Sequence, residues 1–318
     1  MKKIIIIDGN SLVFSRMPKQ NELDNSVYQS KEDKSDIYIV RKFFKKILKY
    51  KYQIWPDYKI VVVFDEPNKH TFRHELYTKY KQKAISQSRK EQKDYIYKQI
   101  EKIKPMLEKL GIAYYSHNNW EADDIIGMLC KKLEKRNWWT TIVSGDKDII
   151  QLVSEKIRIA FLDNNRNINI YGRNNIWEVS GEVWPDQIVG VKVLAGDKSD
   201  NIKGLGIIRD GLVDSWTQKE AKDLIVKYKT LENLMNNKHK IPEPYRTSLT
   251  KGEEKIKMRT ELITIVKEWK INKSFEEFID KDIIVGEVGR LINNLNLEDI
   301  ANKNKRINKN LIKEGIKW

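Results

Sequence analysis

Short apolar segments that each end at an acidic residue constrain the fold of this chain more than any other feature of its sequence. Residues 4–7 are a run of isoleucine that ends at Asp8, and residues 60–64 end at Asp65. Residues 140–143 form a third such run. Continuous β-branched runs of this length are typical of strands that are buried on both faces of a parallel sheet. The sequence therefore predicts an α/β fold with a mostly parallel sheet.

Helical periodicity between these runs supports the same fold class. Residues 37–50 and residues 96–110 each carry an apolar stripe at helical spacing. Pro105 lies inside the second of these helices, and we expect a kink or a break there. Residues 158–162 and 167–171 flank a polar tetrapeptide, which predicts a hairpin at the edge of the sheet. Strands separated by helices in this order indicate βαβ units.

The pattern beyond about residue 180 is mainly helical. Four further helices are expected, over residues 183–194, 218–228, 253–266 and 286–295. The tail, residues 302–313, is rich in Lys and Asn and is expected to fray. We therefore divide the chain into an α/β core over residues 1–182 and a helical region over residues 183–318.

Composition excludes several classes of protein. Cys130 is the one cysteine, so a disulfide framework and a thiolate metal site are both excluded, and a buried, inert thiol is expected. No apolar run reaches the roughly 18–20 residues of a membrane span, and the run at the start is too short for a secretory signal. We expect a cytoplasmic protein without a membrane partner. The net charge of +15 favours a polyanion, and nucleic acid is preferred because no strongly amphipathic basic helix is evident.

Acidic residues fall where the predicted elements would bring them together. Four follow predicted strands, whose carboxyl ends meet at one edge of a parallel sheet; three begin a predicted helix, and two lie at a helix-to-loop junction. The nine residues are Asp8, Asp65, Glu121, Asp123, Asp124, Asp146, Asp148, Asp197 and Asp200. A single acid at such a position is commonly a turn residue or a helix cap, but three acids within four residues repel one another unless a cation neutralises them. All-oxygen ligands suit Mg²⁺ or Mn²⁺, and such a site in a basic protein predicts two-metal phosphodiester hydrolysis.

Basic and aromatic residues interleave between residues 69 and 104. This segment has eleven Lys and Arg residues against four acids, and it contains four tyrosines. Single-stranded nucleic acid is bound by such surfaces, because cations attract the phosphates and aromatic rings stack on the bases. A solvated basic helix is the alternative interpretation.

Six short blocks occur in the order seen in 5′–3′ exonucleases and flap endonucleases. That family includes the nuclease domain of bacterial DNA polymerase I and free-standing bacteriophage enzymes. The blocks are residues 6–11, 64–65, 72–77, 121–124, 144–148 and 196–202. The chain therefore resembles this family from about residue 3 to about residue 205. Because no polymerase domain follows, a free-standing enzyme is expected.

The resemblance implies a PIN-like core with a helical arch over about residues 69–104. It also implies a helix–three-turn–helix element, over about residues 186–228, that grips duplex DNA. One metal ion would be held by Asp8, Asp65, Glu121 and Asp123, with Asp124 beside them. A second would be held by Asp146, Asp148, Asp197 and Asp200. The resemblance assigns catalysis to Lys81 and to six of these carboxylates, which are Asp8, Asp65, Glu121, Asp123, Asp146 and Asp148.

The family cuts branched DNA near the junction of single and double strands, and it removes 5′ ends, RNA primers included. The expected substrates are therefore DNA with 5′ flaps or such junctions, and RNA–DNA hybrids. We expect a monomer in a bacterial or phage-infected cell, acting with a separate polymerase or single-strand-binding protein in replication, repair or primer removal.

Lys81 matches the arch lysine that contacts the scissile phosphate in the family, and Tyr80 matches the tyrosine beside it. The residues expected to bind DNA are Arg73, Tyr77, Tyr80, Lys81, Lys83, Lys203, Gly204, Gly206 and Arg209. The sequence departs from the family at two places. Ala84 stands where the family has an arginine, with Lys83 as its substitute. Residues 203–211 replace a Gly-Ile-Gly-x-Lys hairpin that holds K⁺ in the family. The sequence therefore neither predicts nor excludes a potassium site here.

Two other functions compete with a nuclease. The rewritten hairpin motivates a catalytically impaired protein that binds DNA junctions on the same fold. A phosphatase with Asp8 as nucleophile is a weaker alternative, because Asn10 stands where the second acid of an Asp-x-Asp arrangement would be.

Overall fold

A central six-stranded sheet organises the computed structural model. The structure describes residues 1–15, 36–67, 69–82, 86–162, 168–209, 211–279 and 281–316. The strands of the sheet are β1 (Lys3–Asp8), β2 (Lys59–Val63), β3 (Ala113–Tyr115), β4 (Trp139–Val143), β5 (Ile157–Leu162) and β6 (Ile168–Tyr171). Their order is β3-β2-β1-β4-β5-β6, and all neighbours are parallel except β5 and β6. The predicted α/β class, the mostly parallel sheet and the edge hairpin are confirmed; β3 was not predicted.

Strand β1 lies at the centre of the sheet and explains the isoleucine run. Ile4 and Ile6 pack into the core on one face of the sheet, whereas Ile5 and Ile7 pack into the core on the other face. All four side chains are buried. An alternating pattern is absent because neither face of this strand meets water.

Helices cover both faces of the sheet. Within the described ranges they are α1 (Gly9–Phe14), α2 (Tyr38–Lys49), α3 (Phe72–Leu76), α4 (Gln87–Lys109), α5 (Ala122–Lys135), α6 (Trp177–Ser180), α7 (Ile188–Ala195), α8 (Gln218–Tyr228), α9 (Leu231–Asn236), α10 (Tyr245–Lys251), α11 (Glu253–Ile263), α12 (Glu276–Ile279), α13 (Val285–Asn294), α14 (Glu298–Lys303) and α15 (Lys305–Lys313). Buried residues of α2, α4, α13 and α15 share one core, and those of α5, α7, α8 and α11 share the other. None of the described helices is both long and apolar enough to span a lipid bilayer.

Helix α4 starts nine residues earlier than the apolar stripe indicated and continues through Pro105 without a break. The predicted break is therefore absent. Pro105 is exposed, so the carbonyl group that loses its hydrogen-bond donor can be hydrated, while Ile103 and Leu107 anchor the helix in the core. The exposed first turns of the helix carry no comparable apolar stripe, which is why the sequence did not reveal them.

The prediction that the tail frays is wrong. Residues 298–313 form α14 and α15, and Ile307 and Leu311 of α15 are fully buried. Asn310 Nδ2 also donates to the Tyr52 carbonyl oxygen at 2.6 Å. The spacing of Ile307 and Leu311 by four residues puts both on one helical face, and the abundance of Lys and Asn obscured that stripe.

Two short antiparallel pairs connect α7 with α8. They comprise β7 (Gly196–Asp197) with β8 (Ile202–Lys203), and β9 (Gly206–Arg209) with β10 (Leu212–Ser215). The two helices pack closely at Gly190, where a β-carbon would lie 2.7 Å from Ile225 Cδ1. Helix α8 has the predicted bounds, while α7 begins five residues later than predicted.

Candidate metal centre and nucleic-acid interface

The ends of three strands and the start of α5 form a cleft of about 520 Å³. Its acidic lining residues are Asp8, Asp65, Glu121, Asp123 and Asp146. These side chains meet because β1, β2 and β4 are adjacent and parallel, so that their carboxyl ends lie side by side.

Asp8 is held by hydrogen bonds at both carboxylate oxygens. Its Oδ1 accepts from the Ser11 backbone N at 2.9 Å, as the N-cap of α1, and its Oδ2 accepts from Ser144 Oγ at 2.7 Å. Burial raises the pKa of Asp8 to about 6, with help from the charges of Asp65 and Asp146, although these hydrogen bonds oppose the shift. The carboxylate is thus oriented but poorly solvated.

Asp65 is fixed to both neighbouring elements. Its backbone N donates to Asn10 Oδ1 at 2.8 Å, and its Oδ1 accepts from the Ala122 backbone N at 2.8 Å. Lys69 forms an ion pair with the same carboxylate. These contacts place the end of β2 against α1 and against the first turn of α5.

Asp123 completes this first carboxylate set, which consists of Asp8, Asp65, Asp123 and Asp146. Burial and the charges of Asp146, Asp8 and Asp65 hold the pKa of Asp123 well above its usual range. Because these acids repel one another, the cleft requires a positive charge to neutralise them. A set made of carboxylate oxygens fits a hard divalent cation such as Mg²⁺ or Mn²⁺.

A second carboxylate set lies beside the first and consists of Asp148, Asp197 and Asp200. One oxygen from each lies within 4.8 Å of the others, which is the geometry of a potential metal site. Asp148 begins a 3₁₀ turn after β4, Asp197 ends β7, and Asp200 lies in the turn before β8.

Lys192 of α7 supplies positive charge to the second set. Its Nζ bonds to Asp197 Oδ2 at 2.7 Å and pairs with Asp148. Burial raises the pKa of Asp197, but Lys192 and Ser199 outweigh it and lower the pKa below the usual range. Burial raises the pKa of Asp148 more than Lys192 lowers it.

Asp146 lines the first cleft, whereas the family resemblance implied that it belongs to the second set. Its Oδ1 accepts from the Asp148 backbone N at 2.8 Å. The short Ser144–Asp148 segment after β4 therefore turns one carboxylate toward each set. Asp146 links the two sets and does not belong to the second alone.

Glu121 has a different environment from the other acids of the cleft. Its Oε1 accepts from Lys81 Nζ at 2.9 Å, and Lys69 Nζ lies 3.9 Å from the same oxygen. Burial alone would raise the pKa of Glu121, but these lysines and Arg73 hold it at about 2. Glu121 is the N-cap of α5 and remains ionised beside Lys81.

Arg73 and Asp124 were predicted as a DNA contact and a metal neighbour, and the structure places neither in the cleft. The Arg73 guanidinium bonds to both oxygens of Asp124, at 2.5 and 2.8 Å, and to the carbonyl oxygens of Leu262 and Thr264. Arg73 is 3 % exposed and Asp124 is 0 % exposed. We correct both assignments, because this pair joins α3 and α5 to the end of α11 and its polar atoms face protein.

Tyr80 and Tyr77 also differ from the prediction of DNA contacts. Tyr80 is buried, and its hydroxyl lies 3.1 Å from Glu121 Oε2 and 3.3 Å from Asp200 Oδ2, so its ring is not free to stack on a base. Tyr77 is half-buried and packs against the core. Lys81 lines the cleft, and its contact with the scissile phosphate stays a prediction, whereas Lys83 lies outside the described residues.

Within the rewritten hairpin, Arg209 is not free to bind a phosphate. Arg209 forms ion pairs with Asp214 at 2.6 Å and with Glu220 at 2.7 Å, so its charge is neutralised within the fold. Gly204 is explained by packing, since a β-carbon there would lie 2.6 Å from the Ala195 carbonyl oxygen. Lys203 and Gly206 are exposed, and the exposed hairpin surface carries the apolar side chains of Ile208, Leu212 and Val213.

The first turns of α4 form an exposed basic surface beside the cleft. Arg89 and Lys90 are exposed there, and Lys93 is half-buried. Tyr97 lines the cleft itself, and Lys93 Nζ lies 5.8 Å from the centre of its ring. This surface has the cations and the aromatic ring that single-stranded nucleic acid requires.

The lysines that balance the charge of the acids were not predicted as site residues. Lys192 is the one charged residue of α7, whose sequence is otherwise apolar. A single charge in an apolar helix indicates a buried or partly buried partner, so this pattern could have identified Lys192. Lys69 appeared only as a member of the basic run, and its contact with Asp65, four residues away, had no separate signature.

Comparisons with known proteins agree with this architecture. Residues 3–181 match the model of the 5′–3′ exonuclease N-terminal resolvase-like domain, and residues 183–283 match that of the 5′–3′ exonuclease C-terminal SAM fold. A 5′–3′ exonuclease of Buchnera aphidicola subsp. Schizaphis graminum is 33 % identical over 249 residues, which are 78 % of this chain and 78 % of that protein.

DNA polymerase I of Chloroflexus aurantiacus is 29 % identical over 266 residues; the match covers 83 % of this chain but 26 % of that protein. Among solved structures, the bacteriophage T5 flap endonuclease in a complex with DNA and metal ions superposes with a TM-score of 0.62 at 17 % identity. The superposition covers 82 % of this chain and 89 % of the T5 chain. The structural likeness shows a shared fold, and the two family models together with the Buchnera relative show that the chain belongs to the 5′–3′ exonuclease family.

Proposed function

We propose that the chain is a structure-specific 5′ nuclease that hydrolyses DNA phosphodiester bonds with Mg²⁺. The convergence of the two carboxylate sets is the observation that carries the proposal. Seven acids from the strand ends, α5 and the turn after β7 meet beside an exposed basic helix. Phosphodiester hydrolysis needs cations to balance the charge of the transition state, and paired metal sites of this kind provide them.

The chemistry of the donors assigns the metal ligands. Asp8, Asp65, Asp123 and Asp146 would hold one ion, and Asp148, Asp197 and Asp200 would hold the other. Bound divalent ions activate water and stabilise the leaving oxygen. Mn²⁺ satisfies the same oxygen ligands and is expected to replace Mg²⁺.

Lys81 supplies a fixed positive charge at the edge of this centre. Burial would lower its pKa, but the charges of Glu121 and Asp200 hold the pKa of Lys81 well above its usual value, so it stays protonated. Its side chain is 40 % exposed toward the cleft. We assign Lys81 to the scissile phosphate, where an ammonium group stabilises developing negative charge.

Substrate selection follows from the surfaces around the centre. The basic turns of α4 and Tyr97 suit a single strand, and the helical region from residue 183 onward is assigned to the duplex. We therefore propose 5′ flaps, junctions of single and double strands, and RNA–DNA hybrids as substrates of a monomer. A separate polymerase is a fitting partner because the matched relatives include DNA polymerase I.

The alternative of an impaired junction-binding protein is not favoured, since the acids of both sets are present and meet in space. The rewritten hairpin affects duplex binding and not the centre itself. With Arg209 neutralised by Asp214 and Glu220, we assign this hairpin no potassium ion and a smaller share of phosphate binding than in the family.

Cleavage mapping tests the proposal. Flap, nicked and RNA-primed duplexes, labelled at either end, are incubated with the enzyme and Mg²⁺, Mn²⁺ or a chelator. We expect metal-dependent cuts near the junction, and a loss of about a hundredfold in rate, or about 2.7 kcal/mol, for Asp146→Asn. The matched control Asp282→Asn removes a carboxylate whose side chain is 83 % exposed, and it should cleave like the wild type. Absence of cleavage with either metal on every substrate contradicts the proposal.

A further inference from the structure

The turn that carries Lys81 has an unusual backbone. Lys81 has a φ of +52°, in the left-handed region that non-glycine residues seldom adopt. The Tyr80 backbone N donates to the Tyr77 carbonyl oxygen at 2.9 Å, and the Gln82 backbone N lies 3.2 Å from the Lys79 carbonyl oxygen. Since such a conformation is maintained only when its surroundings hold it, contacts outside the turn must contribute.

The segment Asp200–Asn201 supplies these contacts. The Lys81 backbone N donates to the Asp200 carbonyl oxygen at 2.9 Å, and Asn201 Nδ2 donates to the Lys79 carbonyl oxygen at 2.9 Å. Asn201 itself has a φ of +59°. We call these two hydrogen bonds the latch; they join the turn of Lys81 to the segment that carries Asp200 of the second carboxylate set.

Asparagine suits this position for two separate reasons. It tolerates the left-handed region better than other non-glycine residues, and its amide offers a donor to a carbonyl oxygen. Glycine would keep the backbone conformation but lose the donor. An aspartate carboxylate offers only acceptors to the Lys79 carbonyl oxygen. The two requirements can therefore be separated by substitution.

We propose that Asn201 is a positioning residue that sets how far Lys81 reaches into the cleft. The latch spans 122 residues of sequence and acts on the backbone on both sides of Tyr80, so the Lys81 ammonium is aimed by Asn201 without touching it. Because Asp200 and Asn201 are adjacent, the latch also fixes the distance between Lys81 and the second carboxylate set. The role in catalysis rests on the nuclease function proposed above, whereas the latch itself does not.

Kinetics of Asn201→Gly test the catalytic role on a 5′-flap duplex with Mg²⁺. We expect kcat to fall about fivefold to tenfold, the worth of one hydrogen bond, with KM unchanged. The same substitution in a Lys81→Met background should have no further effect, because the latch acts through Lys81. Asn137→Gly is the matched control, since Asn137 also has a positive φ, of +65°, and lies after α5, away from the turn of Lys81. It should keep the wild-type kcat.

Limited trypsin digestion without metal or DNA tests the latch independently of activity. Asn201→Gly and Asn201→Asp should be cut after Lys79 or Lys81 several times faster than the wild type, while their thermal unfolding stays close to it. Wild-type digestion rates in both variants overturn the latch. Faster digestion with unchanged kcat, or an equal loss of kcat in the Lys81→Met background, overturns the positioning role. A wild type that digests as expected but cleaves no DNA would instead refute the nuclease function.

Discussion

Replacing Arg73 with methionine tests whether this arginine stabilises the fold or contacts DNA. The guanidinium makes four hydrogen bonds within the protein: two to Asp124, one to the Leu262 carbonyl oxygen at 2.7 Å and one to the Thr264 carbonyl oxygen at 3.1 Å. Methionine fills a similar volume but donates nothing. The substitution therefore removes the link from α3 to α5 and to the end of α11.

The expected loss of stability follows from what is left behind. The Asp124 carboxylate would stay buried with only backbone donors, among them the Val266 N at 3.0 Å. Breaking a buried ion pair from one side costs about 3–5 kcal/mol, and each orphaned buried carbonyl adds about 1–3 kcal/mol before relaxation. Because relaxation recovers part of this, we expect Arg73→Met to lose at least about 4 kcal/mol of unfolding free energy. That is a large fraction of the roughly 5–15 kcal/mol typical of a domain.

Urea unfolding followed by tryptophan fluorescence measures this loss, with Arg290→Met as control. Among the described residues Arg290 is paired only with Glu287, and its side chain is 76 % exposed, so its replacement should change stability by less than about 0.5 kcal/mol. The double variant Arg73→Met, Asp124→Leu should lose less than the sum of the single changes, because no charge remains unpaired. A loss below about 1 kcal/mol, combined with weakened DNA binding, would refute the structural role and restore the DNA contact.

Two further predictions concern the C-terminal helices and the first carboxylate set. Leu311→Ala should lower the free energy of unfolding in urea by about 2–5 kcal/mol, because Leu311 is fully buried. The control Ile312→Ala should lower it by less than about 0.5 kcal/mol, because that side chain is 63 % exposed. Equal effects would contradict the packing of α15. Since the pKa of Asp8 is raised to about 6, the metal-free protein in chelator should lose stability as pH rises from about 4 through 6. Apparent Mg²⁺ affinity should rise over the same range because the ion competes with the proton. Asp8→Asn should remove the contribution of Asp8 to the pH dependence of stability and of Mg²⁺ affinity. Unchanged pH profiles in this variant would contradict the raised pKa of Asp8.

The strand ends were predictable because the geometry of parallel strands is regular. Once residues 4–7 and 60–64 are identified as neighbouring buried strands, Asp8 and Asp65 must lie at one edge of the sheet. The same reasoning brought Asp146 to this edge but could not assign it to a set, and the family resemblance grouped it with the second. The direction of a side chain in a tight turn depends on individual dihedral angles. The turn after β4 aims Asp146 and Asp148 at different sets, and no sequence period encodes that difference.

Long-range polar pairing was not predictable. Arg73 and Asp124 are 51 residues apart, and each belongs to a block that has a plausible alternative role at the site. Whether a charged residue faces solvent, DNA or another charge depends on tertiary packing, which sequence patterns do not reveal. Tyr80 and Arg209 illustrate the same point, since each contacts an acidic residue of the protein itself. Tyr80 contacts Glu121, and Arg209 pairs with Asp214.

The central claim is that the two carboxylate sets are adjacent sites for divalent cations. Anomalous diffraction from crystals soaked in Mn²⁺ tests it most directly. We predict one peak among Asp8, Asp65, Asp123 and Asp146, a second among Asp148, Asp197 and Asp200, and loss of the second peak alone in Asp197→Asn. Density at neither set, or Mn²⁺ bound only at other acids of the surface, would contradict the claim.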